Sequence, residues 1–276
     1  MFERAHLQIL IKRTLEARRF IQVVMGPRQV GKTTMVNQLV EKLSIPHHFT
    51  SADAVAASDN IWLKLKQSKR ADFLLIIDEI QKIDNWSETV KLLWDADTRT
   101  KISIKVILLG SSRMLLQKGL TESLAGRFET TYMGHWSFIE MQAAFGWNAE
   151  KYAWFGGYPG SATLIDDEVR WKNYIQSALI ETSVSKDILM TTRIDKPALM
   201  KRLFELGCLY SGQIVSFTKI LGQLQDAGNT TTLSHYLNLL DTAGLLTGIE
   251  KYAGTILRKR ASSPKFQVHN TALISG

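Results

Sequence analysis

Gly26-Pro27-Arg28-Gln29-Val30-Gly31-Lys32-Thr33-Thr34 stands between the apolar run FIQVVM (residues 20–25) and the helical-looking MVNQLVEKL. The spacing is G-x-x-x-x-G-K-[ST], and its setting after a strand and before a helix is the one a phosphate-binding loop requires. Gly26 and Gly31 let the chain curl until successive backbone N–H groups face one anion. The following helix aims its N-terminal dipole at the same point. In this arrangement Lys32 neutralises the β- and γ-phosphate oxygens, and the Thr33 hydroxyl is placed to ligate Mg²⁺.

Some 46 residues downstream of Lys32, residues 73–77 (FLLII) run into Asp78-Glu79. A buried strand ending in two carboxylates places Asp78 to hold Mg²⁺ through its water shell. Glu79, one residue further, is placed to polarise an attacking water as general base. An adjacent Glu favours hydrolysis over binding alone, and the guanine-reading N-K-x-D pattern is absent from the sequence. ATP with Mg²⁺ is therefore the expected nucleotide. A third apolar run, residues 105–109, ends in Gly110-Ser111-Ser112-Arg113. Ser111, with Ser112 second, is a candidate to lie beside the γ-phosphate, or alternatively the N-cap of a short helix over 114–117. Arg127, in ESLAGRF, is a candidate arginine finger or a surface Arg at a helix end.

Working outward, unbroken apolar runs alternate with helical periodicity through the first half. Residues 48–50 suggest a second short strand before a helical-looking 62–68, and Trp86, Val90, Leu93 and Trp94 recur at helical spacing. This predicts an α/β layer with a parallel sheet buried on both faces. The 276 residues suffice for two domains, and 45% hydrophobic with 22% charged is ordinary globular composition. One cysteine excludes an internal disulfide framework and a multi-thiolate zinc site. His47-His48 near Asp53 lack a third spaced metal ligand. The apolar runs fall far short of the ~20 residues a membrane span needs. The start, MFERAHLQILIKR, places Glu3 and Arg4 before a very short apolar patch, unlike a signal peptide. A soluble, cytoplasmic protein is expected.

After about residue 150 the strand–helix alternation stops. Residues 171–188 and 198–210 read as amphipathic helices, and the expected division is 1–195 for the nucleotide domain with a helical extension and 196–276 for a second module. There Ser216 caps a helix over 216–227, closed by Gly228, and Thr231 or Thr232 caps a second. That second helix carries Leu233, Tyr236, Leu237 and Leu240 on one face. Residues 245–249 and 266–269 can pair as a hairpin, which completes the order of a winged helix-turn-helix. The net charge of +8 is uneven: residues 1–44 hold eight Lys/Arg against three acids, and residues 199–276 eight against four. Arg258, Lys259, Arg260 and Lys265 cluster where a wing would ride on DNA phosphates. The outward face of the second helix offers Ser234, His235, Asn238 and Asp241 without a basic residue, so docking of a protein partner is the alternative.

GPRQVGKTT, LLIIDEIQK, LLGSSRMLL with ESLAGRF, and Gly156-Gly157-Tyr158-Pro159, in this order, resemble the AAA-type ATPases of bacteria and archaea that carry a DUF4143 region. The resemblance covers essentially the whole chain. It implies a P-loop NTPase core of the ASCE/AAA-like kind, with an extra strand between the strands of the first two motifs. It assigns Ser111–Ser112 to a sensor position and supports Arg127 as a finger, acting in cis or from a neighbouring subunit of an oligomer. Gly156-Gly157-Tyr158-Pro159 fits a lid, an interdomain hinge or a plain turn. Members of this family continue further, into a nuclease-like region; the present residues give no support to nuclease activity.

Overall fold

The computed structural model describes residues 2–52, 73–111, 120, 123–189, 194–224, 229–252 and 262–276. The chain divides into two compact units, Met1–Gly134 and His135–Gly276. The first is a five-stranded parallel sheet in the order β2-β3-β4-β1-β5. Its strands are β1 (Ile21–Met25), β2 (His47–Ser51), β3 (Phe73–Asp78), β4 (Ile104–Gly110) and β5 (Phe128–Tyr132). As the resemblance implied, β4 lies between β1, which leads into the phosphate loop, and β3, which ends in Asp78.

Alternation along the central strands divides their side chains between two cores. Val24, Leu74, Ile76, Ile107 and Leu109 face α1 (His6–Leu15) and α2 (Lys32–Lys42), where Leu7, Leu10, Met35, Val36 and Leu39 meet them. Ile21, Val23, Leu75, Ile77, Val106 and Leu108 face the opposite way, onto Trp86, Val90 and Trp94 of α3 (Trp86–Arg99). The sheet is thus covered on both faces, which is why its central strands read as unbroken apolar runs. Edge strand β5, FETTY, buries only Thr131 and has no such run, so the sequence did not signal it.

The second unit begins with α4 (Phe138–Phe145) and α5 (Ala149–Phe155). Ser137 and Glu140 form a reciprocal capping box on α4, and Asn148 caps α5. α6 (Glu168–Tyr174) continues as wider-wound turns over Ile175–Ile180 and Ser183–Leu189. Trp136, Trp147 and Trp171 are buried, as packing residues rather than stacking platforms. Then come α7 (Pro197–Leu209), α8 (Phe217–Leu221), α9 (Thr230–Thr242), the antiparallel pair β6 (Leu246–Ile249) and β7 (Lys265–Val268), and α10 (Ala272–Ser275).

Several local expectations are revised. The helices before residue 195, grouped by sequence with the nucleotide domain, fall in the second unit, where α5 packs on α10. Ser216 does cap its helix, accepting from Lys219 N at 3.2 Å, but α8 ends at Leu221. α9 starts earlier than Thr231: Asn229 is the cap, its Oδ1 accepting from Thr232 N at 2.9 Å. Gly156-Gly157 is a close-packed junction rather than a hinge. Gly157 N donates to Asn270 Oδ1 at 3.0 Å, and a Cβ on Gly157 would lie 2.1 Å from the Trp136 carbonyl oxygen. Only glycine allows two backbone segments to approach that closely. The expected helix at 62–68, Asp53, Ser112, the N-capped helix at 114–117, Gly228 and the loop bearing Arg258, Lys259 and Arg260 lie outside the described residues.

Candidate nucleotide site

Parallel strands send their C-terminal ends to one edge of the sheet, and ligands of such sheets bind there. At that edge β1 delivers the phosphate loop, β3 delivers Asp78-Glu79 and β4 delivers Ser111. The loop takes left-handed backbone at Gln29 (φ 60) and Gly31 (φ 90) before α2 begins at Lys32. A Cβ on Gly26 would lie 2.0 Å from the Met133 carbonyl oxygen, so the loop presses directly on the backbone just past β5.

Lys32 is buried, and its Nζ donates to Gly26 O at 2.9 Å and Pro27 O at 2.7 Å. The ammonium is therefore held inside the curl by the loop's own carbonyls. Pro27 and Val30 are buried, Arg28 is half-buried, and Gln29, Thr33 and Thr34 are exposed at the mouth. Thr33 Oγ1 donates to Asp78 Oδ2 at 2.8 Å, bringing the two motifs into contact across 45 residues of sequence. This pair is a set of hard oxygen donors with open sides, the chemistry Mg²⁺ selects when phosphates and waters supply its other ligands.

Glu79 takes a left-handed conformation (φ 53), and its N–H donates to Asp78 Oδ1 at 2.8 Å. A non-glycine residue there carries strain of roughly 1 kcal/mol, of the kind that collects at functional sites. The turn points the Glu79 carboxylate towards β4, where the buried Ser111 hydroxyl donates to Glu79 Oε2 at 3.3 Å. Of the sequence candidates, Lys32, Thr33, Asp78, Glu79 and Ser111 thus share one edge.

Arg127 is not among them. Its carbonyl accepts from Ile21 N at 2.8 Å, at the start of β1, while the loop follows Met25 at the other end. The two ends are about 13 Å apart at about 3.3 Å per residue. The guanidinium makes a bidentate pair with Asp95, at 2.8 and 3.0 Å, whose hydrogen bonds hold the Asp95 carboxyl below its usual range. The cause is topological: β5 is parallel to β1, so a residue just before β5 lies at the N-terminal edge. A cis role for Arg127 is incompatible with this placement.

Arg4 was missed by the sequence reading. It is buried, and its Nη1 donates to Val30 O at 3.3 Å and Gly134 O at 3.0 Å, tying the loop to the end of β5. No local pattern signals a contact across 130 residues.

Residues 18–142 match the AAA domain family, and residues 146–275 match a domain of unknown function, DUF8612, where the resemblance had implied DUF4143. An uncharacterized protein of Mycobacterium tuberculosis is 27% identical over 99% of this chain and 59% of its own length. One from Methanocaldococcus jannaschii is 30% identical over 54% of this chain and 37% of its own. The chain spans about three-fifths of the longer-matching curated relative. Among solved structures, the Thermotoga maritima RuvB Holliday junction branch migration motor aligns with a TM-score of 0.48 at 20% identity, covering 88% of each chain. Among the described residues no helix is long and apolar enough to cross a membrane.

Proposed function

We propose that this chain binds and hydrolyses ATP with Mg²⁺ and couples that cycle to a winged-helix module that contacts DNA. The observation that carries the catalytic part is the 2.8 Å contact between Thr33 and Asp78, with Lys32 seated in the loop beside it. Residues Gly26 to Thr34 hold the phosphates, and Thr33 and Asp78 hold the metal. When bound, Mg²⁺ neutralises charge on the β- and γ-phosphate oxygens. Glu79 takes the proton of the attacking water, and Ser111 fixes its carboxylate. Arg127, on the opposite edge, reaches a γ-phosphate only in a neighbouring subunit of an oligomer.

The test is nucleotide binding and turnover in two variants. Lys32→Ala is expected to lose affinity or turnover, and Glu79→Gln to keep binding while hydrolysis falls by about 10²-fold or more. Equal turnover in Glu79→Gln and wild type would remove the proposed base.

DNA contact rests on Arg258, Lys259, Arg260 and Lys265, the last at the start of β7. A second reading, docking of a protein partner, is favoured by exposed apolar side chains at the same hairpin. Ile214 and Ile249 both pair with Lys265 through the backbone and are 74% and 50% exposed, and Tyr252 is 98% exposed.

A further inference from the structure

Gln81 lies within the LLIIDEIQK stretch but carries no role in the reading of Asp78-Glu79, and the turn at Glu79 folds it back beside the carboxylate. Lys82 N closes a tight turn onto Glu79 O at 2.9 Å, and the short helical turn Ile80–Lys82 buries Ile80 in the sheet core. The residue two beyond Glu79 therefore returns to the strand edge. Its Nε2 donates to Glu79 Oε2 at 2.6 Å and to Ser111 Oγ at 3.3 Å. Since a carboxylate only accepts, the amide presents its NH₂ group to Glu79, and Oε1 is turned the other way. That oxygen is buried, and among the described residues no group donates to it. A buried acceptor left unpaired costs about 1–3 kcal/mol, so its retention beside a general base calls for a donor that arrives with the substrate.

We propose that Gln81 positions the attacking water, a reading that rests on the ATPase assignment above. Nε2 and the Ser111 hydroxyl together hold Oε2 of Glu79, which leaves the carboxylate's other oxygen to receive a proton. The water donates one O–H to Glu79 and the other to Gln81 Oε1, and so its lone pair points at the γ-phosphorus. As the water oxygen bonds to phosphorus, the bond to the β,γ-bridging oxygen breaks and its electron pair leaves with ADP. The transferred proton passes to Glu79, and inorganic phosphate is the second product.

Gln81→Met keeps length and volume but removes both polar atoms, and Gln81→Glu keeps Oε1 but places a second carboxylate against Glu79. Steady-state hydrolysis, ATP affinity from a fluorescent analogue, and binding of ADP with aluminium fluoride are measured on both, beside wild type and Glu79→Gln. Both variants are expected to lose about 10²-fold in kcat while KM and ATP affinity stay within about threefold. They are also expected to lose the extra affinity for the aluminium fluoride complex, which mimics the in-line arrangement with its water. A filler role predicts that Gln81→Met keeps kcat and aluminium fluoride binding. If either variant turns over within threefold of wild type while Glu79→Gln is inactive, this inference fails alone. Wild type without turnover, or an active Glu79→Gln, overturns the ATPase reading and the inference with it.

Discussion

At Cys208, on the last turn of α7, burial pushes the thiol up to about 12, with the Glu205 carboxylate one turn earlier adding to the effect. A thiol raised in the folded state keeps its proton at pH 8, where an unfolded chain has begun to lose it. Folding is therefore favoured most below the unfolded thiol's range and less as pH rises towards 12. With one cysteine in the chain, labelling reports this site alone. At pH 8 the native protein is expected to react with a thiol reagent about 10³-fold more slowly than in denaturant, as followed by absorbance. Rapid labelling of native protein would show that α7 does not pack as described. The same scale separates what sequence reveals from what it hides. Lys32, Thr33, Asp78 and Glu79 were legible because their chemistry lies in contiguous patterns with fixed offsets. Gln81 was not, because its role depends on the left-handed turn at Glu79. Arg4 depends on two tertiary contacts, and the choice between cis and trans action for Arg127 stayed open because no strand at 128–132 had been recognised.

Among elements, the central strands β1, β3 and β4 were readable from hydrophobicity alone, since burial on both faces leaves few polar positions, Gln22 and Lys105 among them. β5 pairs with β1 over five residues but is half in solvent, so its composition resembles a loop. Helix ends were less legible than helix faces. The four apolar residues assigned to α9 are all buried, whereas its cap moved from Thr231 or Thr232 to Asn229. Both threonines are acceptable caps, and the choice is made by Asn229, which accepts from both the Thr232 amide and hydroxyl. Asn229→Ala should destabilise the second unit by about 1 kcal/mol, read as a lower midpoint in thermal or urea unfolding. Thr231→Ala should leave that midpoint nearly unchanged. The reverse order would restore the original cap.

For the whole molecule, the structure redistributes the meaning of the +8 charge. The N-terminal excess is largely spent inside the first unit. Arg4 ties the phosphate loop, and Arg13 bonds Thr130 and pairs with Glu129. Arg18 stacks 3.5 Å over Trp94 and bonds the Ile104 and Trp94 carbonyls, Lys42 pairs with Glu3, and Lys32 fills the loop. Burial even draws the Arg18 guanidinium below its ordinary range, a group withdrawn from solvent rather than offered to a polyanion. A DNA contact must then draw on the C-terminal excess, at Arg258, Lys259, Arg260 and Lys265. Each phosphate neutralised contributes about −0.9 to the slope of log affinity against log salt. Reversing Arg258, Lys259 and Arg260 to Glu should therefore flatten that slope by about 3 and abolish any stimulation of ATP hydrolysis by single- or double-stranded DNA. The phosphate loop is untouched by these changes, so hydrolysis without DNA should stay at the wild-type rate. Binding that is insensitive to salt, or that survives the reversal, would instead assign the hairpin to a protein partner. Its contact would then centre on Ile214, Ile249 and Tyr252, and replacing these three by Ser would abolish it.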